Sequence, residues 1–284
     1  MLNPEWFDSA ISTERQECFV EVEGKNIHYS LWGDSTKPGI FFVHGYSANS
    51  NWWDYIAPHF LENFCAVAID LSGNGMSDHR EEYSQSLYAK EFKAVIQDLN
   101  WKSAIFIAHS MGGSISLAAS GIYPEIFKEI ILLDSIVVMP PDKARPMGRS
   151  MIRADFYYNT LEEASGGFRL IPPQPCNNNF ILEYIARNSY KKTDKGWRLK
   201  SDGKIMKTYQ SSDLTDLLMN PVCPVYLVYG LMSQIFPAEL LDYTKYVGNL
   251  PDERVVGIPG AMHHLFIDEP LGVVNELKKL LGVF

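Results

Sequence analysis

Ser110 stands in the stretch IFIAHSMGGS, where an apolar run gives way to small residues. Ala108 lies two positions before it and Gly112 two after, a variant of G-x-S-x-G with alanine first. Small neighbours let a strand turn sharply into a helix, holding the hydroxyl exposed above the helix N-terminus. A serine here could equally be a plain helix N-cap. The rest of the chain decides between the two. The run FFVHGYSANSNWW ends in His44-Gly45, a place where the Tyr46 N–H could face the same site. Paired with the Met111 N–H it would form an oxyanion hole. Near the C-terminus, GIPGAMHHLFIDEP presents His263 and His264 on a loop. Asp, Glu or Cys partners at ligand spacing are lacking, which argues against a metal. A loop histidine in a chain with a serine elbow reads better as a general base.

Such residues need a scaffold that brings distant segments to one edge. Short apolar runs supply it: CFVEVEG and NIHYSLWG, read as an N-terminal hairpin about a Gly-Lys-Asn turn, then GIFFVHG, FCAVAIDL, SAIFIAHS, KEIILLDS, CPVYLVYG and ERVVGIP. Runs apolar on both faces fit strands of a parallel sheet covered on both sides. SLYAKEFKAVIQDLN, GGSISLAASGIY and EPLGVVNELKKLLG carry helical spacing between them. This alternation predicts an α/β fold with a mostly parallel, doubly wound sheet. It breaks between about residues 136 and 220, where prolines cluster and RSMIRADFYYNTLEEA and NFILEYIARNSY look helical. The expected organisation is a core of residues 1–135 and 221–284 with a mostly helical cap, 136–220, inserted between the sixth and seventh strands. The Gly-rich AIDLSGNGMSD lacks both G-x-G-x-x-G and a P-loop lysine, so it reads as a structural turn.

Composition narrows the function class. A net charge of −9 over 284 residues argues against non-specific binding to nucleic acid or an anionic membrane. No apolar run approaches the roughly 20 residues that span a bilayer. The N-terminal stretch has neither a basic nor an apolar region of signal-peptide type. Cys18, Cys65, Cys176 and Cys223 are scattered and fit free thiols in a reducing cytoplasm, the expected location.

Taken together, HGYSANSNWWDYIAP, AIDLSGNGMSD, AHSMGGS and IPGAMHHLFIDEP resemble the α/β-hydrolase superfamily in order and spacing, from about residue 18 onward. The resemblance implies a nucleophile–acid–histidine order and a cap after the sixth strand. Ser110 matches the nucleophile. His263 matches the family histidine better than His264, because PGAMH stands where the family has P-G-x-G-H, with Met262 for the glycine. The family usually carries its acid after the seventh strand, where YGLMSQIF has Ser233. A hydroxyl cannot stabilise an imidazolium as a carboxylate does. Glu239 and Asp242 lie beyond Pro237, on the expected following helix. Asp134, ending EIILLDS, is the better candidate. The segment LLDSIVVMP resembles haloalkane dehalogenases and coelenterazine luciferases, which carry the acid after the sixth strand. Dehalogenation itself needs an aspartate nucleophile where this chain has Ser110.

Met139, Met147, Met151, Phe156, Tyr157, Tyr158, Phe168, Phe180 and Tyr184 make the inserted segment rich in apolar groups. They would line an apolar pocket or form the segment's own core. Residues 191–207 hold seven basic side chains against two acidic, either a steering patch for an anionic substrate or a solvated face. The expected activity is hydrolysis of carboxylic esters with small to medium, mostly apolar groups, on a small-molecule substrate and with no cofactor. A C–C bond hydrolase or hydroxynitrile-lyase-like enzyme on the same triad, and a non-catalytic small-molecule binder, are the alternatives. Oligomeric state is not readable.

Overall fold

The computed structural model describes residues 3–143 and 156–283. The expected positions Met147 and Met151, and the first part of RSMIRADFYYNTLEEA, lie outside the described residues. A short helix, α1 (Glu5–Ile11), precedes the hairpin β1 (Gln16–Val22) and β2 (Lys25–Trp32). Val22 pairs with Lys25, so the turn is Glu23-Gly24 rather than Gly-Lys-Asn. Both turn residues have positive φ, which suits the twist of a two-residue hairpin.

The chain continues through β3 (Gly39–Val43), β4 (Cys65–Ile69), α2 (Gln85–Asp98), β5 (Ala104–His109), α3 (Met111–Ile122) and β6 (Phe127–Leu133). The stretch after β6 contains α4 (Leu161–Gly166), α5 (Asn179–Asn188), a hairpin of β7 (Tyr190–Thr193) and β8 (Gly196–Leu199), α6 (Ile205–Thr208) and α7 (Thr215–Met219). It then rejoins the sheet through β9 (Val225–Gly230), α8 (Ala238–Gly248), β10 (Val255–Ile258), α9 (Leu265–Asp268) and α10 (Pro270–Leu280). Eight strands form one sheet in the order β1-β2-β4-β3-β5-β6-β9-β10. The first two run antiparallel to their neighbours and the others are parallel.

Strand periodicity divides the core into two layers. Ile40, Phe42, Ile105, Ile107, Ile131 and Leu133 pack on one face with Phe7, Ile181 and Val273. Phe41, Val43, Phe106, Ala108, Ile130 and Leu132 pack on the other with Phe92, Ile115 and Leu240. Each fully buried Phe or Ile contributes about 1.5–3 kcal/mol, so burial on both faces holds the strand register firmly. Ser84 caps α2 by accepting the Leu87 N–H at 3.1 Å.

Two expectations for the inserted segment change. It is less helical than its pattern suggests, since much of the basic stretch 191–207 is the β7–β8 hairpin. In β7 Lys192 is exposed between half-buried Lys191 and Thr193, a period of two that a charge count conceals. Phe180 and Tyr184 pack edge-on against Phe7 of α1, with ring centroids at 4.9 and 5.7 Å. These two build the junction with the core. Phe168 is buried in the same layer. Phe156 is largely exposed.

Candidate active site

Register places the key residues side by side. His109 of β5 pairs with Leu133 of β6, so Ser110 and Asp134 are the first residues beyond two adjacent parallel strands. The Ser110 N–H donates to Leu133 O at 3.0 Å, and the Asp134 N–H to Val228 O at 2.8 Å. Both residues have positive φ, +53° and +46°. Non-glycine residues held in such regions cost roughly 1–3 kcal/mol each and gather at functional sites. Ser110 is half-buried, and its hydroxyl makes no hydrogen bond among the described residues.

The Asp134 carboxylate is fully buried and has three donors. Oδ2 accepts the Gly230 N–H at 2.9 Å. Oδ1 accepts the Ser233 hydroxyl at 2.8 Å and His263 Nδ1–H at 2.9 Å. Because the carboxylate accepts, the His263 proton sits on Nδ1 and Nε2 is left as the basic nitrogen. Ser233, standing where the family acid is usual, is thus a donor to the aspartate after the sixth core strand. Glu239 and Asp242 are exposed on α8, and Glu239 pairs with Lys143.

His264 is engaged elsewhere. Its backbone N–H and ring Nδ1 both meet Gln174 Oε1, at 3.0 and 2.8 Å. Burial, and next the adjoining His263 and His109, hold its pKa well below 6.5. His109, inside the serine motif, reaches the carbonyl of His263 through Nε2 at 3.0 Å. Burial likewise keeps His109 neutral. It ties the serine elbow to the histidine loop, with ring centroids of His109 and His263 4.7 Å apart.

The segment with Tyr46 comes close to the elbow because residue 45 has no side chain. A Cβ on Gly45 would lie 2.9 Å from His109 Nδ1 and 3.1 Å from Ser110 Cβ. Met111 begins α3, where an N–H has no acceptor within its own helix. Two backbone segments thus converge on Ser110. The Gly-rich turn after β4 is structural, as its sequence suggests. It wraps Asp70, whose Oδ1 and Oδ2 accept the N–H groups of Ser50 and Met76 at 2.6 and 2.8 Å. A Cβ on Gly75 would lie 2.0 Å from that carboxylate.

A separate cleft of about 360 Å³ opens between this turn and the β7–β8 hairpin, with Lys191, Lys200, Asp78 and Phe19 on its walls. Ser110 is not among its lining residues. No helix among the described residues is long and apolar enough to cross a membrane.

The model of the α/β-hydrolase fold matches residues 38–270, most of the chain. The chain belongs to the α/β-hydrolase fold family. A serine hydrolase-like protein of Danio rerio is 32% identical over 115 residues, 39% of this chain and 35% of that protein. The matched stretch therefore covers about a third of that relative. The pimeloyl-[acyl-carrier protein] methyl ester esterase of Wigglesworthia glossinidia brevipalpis is 25% identical over 252 residues, 86% of this chain and 94% of that one. A solved E-2-(acetamidomethylene)succinate hydrolase superposes with a TM-score of 0.77 at 20% identity, over 95% of this chain and 100% of that one. Esterase-named relatives agree with hydrolase chemistry.

Sequence reading missed the supporting residues. His109 lay inside a quoted motif without a role. Gln174 gave no signal, because its partner in sequence is 90 positions away. Ser233 was visible only as a lost acid.

Proposed function

We propose that this hydrolase cleaves carboxylic esters of small to medium, mostly apolar groups by serine catalysis. The observation that carries the reading is the buried Asp134 Oδ1–His263 Nδ1 hydrogen bond of 2.9 Å, formed one strand away from Ser110. Ser110 Oγ attacks the ester carbonyl while His263 Nε2 takes its proton. The N–H groups of Tyr46 and Met111 bind the oxyanion. His263 then protonates the departing alkoxide, leaving Ser110 acylated. A water, deprotonated by His263, attacks the acyl-enzyme and releases the acid and free Ser110. Asp134 holds Nδ1–H and stabilises the imidazolium throughout. Residues 136–220 serve as the cap over this site, and residues 1–135 and 221–284 as the core.

A fluorophosphonate probe tests the reading, together with p-nitrophenyl ester turnover across acyl lengths. Rapid labelling that Ser110→Ala abolishes is expected, with turnover of short and medium esters. An unlabelled wild-type protein would identify a non-catalytic binder instead.

A further inference from the structure

The loop carrying His263 is fastened from outside the core. Gln174 lies in the segment between β6 and β9, just before α5, yet its side chain reaches the far end of the histidine loop. Its Oε1 meets the backbone N–H and Nδ1 of His264 at 3.0 and 2.8 Å. Its Nε2 donates to both oxygens of Asp268, at 3.0 and 2.9 Å. Asp268 Oδ2 in turn accepts the Met262 N–H at 2.7 Å. Residues 262, 264 and 268, which bracket His263, are thus bound into one ring of hydrogen bonds closed by one amide. Asn178 adds a second hold, donating to the carbonyls of Ile267 and Asp268 at 2.8 and 2.9 Å.

The chemistry explains why an amide stands there. One end faces two N–H groups and must accept; the other faces a carboxylate and must donate. Reversing the amide, or replacing it by a carboxylate, would break one side. Buried polar groups left without partners are costly, so the ring holds the loop in one conformation. On the inner side of the loop, His263 touches Asp134, His109 and His264. A shift of the loop would lengthen the Nδ1–Asp134 bond first.

We propose that Gln174 is a positioning residue for His263, acting through His264 and Asp268. The inserted segment then supplies part of the catalytic geometry as well as cover for the site. This rests on the serine-hydrolase reading above. Misplacement of a catalytic group by about 1 Å can cost on the order of a hundredfold in rate.

The test measures kcat, KM and the pH profile of kcat/KM for Gln174→Ala and Gln174→Glu on p-nitrophenyl acetate, beside fluorophosphonate labelling of wild type. Gln174→Ala should lower kcat by about tenfold to a hundredfold, with KM changed less than about twofold. The acid limb should move to lower pH, because a lengthened bond to Asp134 stabilises the imidazolium less. Gln174→Glu keeps the volume and the acceptor for His264 but sets a second carboxylate beside Asp268. It should show a smaller loss of kcat, which carries the test where the alanine variant does not fold; its added charge favours the imidazolium, so the acid limb is read from Gln174→Ala. Unchanged kcat, a change confined to KM or thermal stability, or a lower kcat with an unmoved acid limb would each overturn the proposal. Wild type that is labelled, beside such variants, overturns this inference alone. Wild type that is not labelled overturns the hydrolase reading and this inference with it.

Discussion

Among the described residues, two buried histidine–carboxylate couples look alike on paper and differ in what they leave open. His28 of β2 meets Asp70 Oδ2 through Nδ1 and Glu17 Oε2 through Nε2, both at 2.7 Å. Burial would lower its pKa, but the bonds to Asp70 and then Glu17 outweigh that and raise it to about 9. Glu17 is lowered to about 2, chiefly by its bond to His28. Burial opposes the same shift in Asp70, yet the bond to His28 still takes it to about 2. Both ring nitrogens are occupied, so this imidazolium has no site from which to exchange a proton with a substrate. His263 has only Nδ1 occupied; among the described residues its Nε2 has no hydrogen-bond partner. A closed couple holds the edge strands together, whereas an open one can do chemistry. The lesson is that a histidine beside an aspartate is defined by its second nitrogen.

Removing one carboxylate from each couple should separate them most widely. Asp134→Asn should lower ester turnover by about 10⁴-fold, since the wrong imidazole tautomer is then favoured. Thermal unfolding, recorded alongside, should move by only a few degrees. Asp70→Asn should do the opposite. It strips a buried partner from a charged histidine and should cost roughly 3 kcal/mol of stability, read as a lower urea midpoint, while turnover stays within a few-fold. If Asp134→Asn keeps near-normal turnover, the open couple is not the catalytic one.

Ser233 sharpens the contrast. Placing a carboxylate there in the Asp134→Asn background should restore turnover at least tenfold over Asp134→Asn alone, because residue 233 already lies within hydrogen-bond reach of residue 134. In the wild-type background, Ser233→Asp sets two carboxylates together and one of them retains a proton. Its acid limb should rise to higher pH, so the single change is no simple gain. Ser233→Ala removes one hydrogen bond worth about 1 kcal/mol and should reduce kcat only several-fold.

The last contrast concerns pH. The pKa of His28 is raised on folding from 6.5 to about 9. Its contribution to stability is fully present below pH 6.5 and fades as pH climbs through 9. Asp70 and Glu17 are lowered from 3.8 and 4.5 to about 2, so their contribution is present above those values and fades as pH falls through 2. Urea midpoints measured from pH 6 to 10 should therefore decline, and the decline should flatten in His28→Gln. A parallel decline in both proteins would show that the closed couple does not govern it.

Much of the fold is legible in the sequence. Near-continuous apolar runs foretold a covered parallel sheet, because strands buried on both faces demand such runs. The serine between small residues foretold a sharp strand-to-helix turn. Asp134 stood out as a candidate acid through its place at the end of EIILLDS, with Ser233 where the family acid is usual. The β7–β8 hairpin was not, since short half-exposed strands carry little apolar patterning. The roles of Phe180 and Tyr184 were hidden too, because an aromatic ring signals burial without saying which neighbour buries it.

The sequence by itself determined the core strands and helices, their order, and Ser110, Asp134, His263 and His264 as candidate site residues. Those follow from local sterics and from side-chain chemistry, which act over a few residues. Only the tertiary structure gave His263 an aspartate partner and His264 an amide, made Ser233 a donor to Asp134, and brought Gln174 to the histidine loop. These are contacts across about 90 to 130 positions of chain. They exist because parallel strands end together at one edge of the sheet, and no local pattern records which side chains meet there.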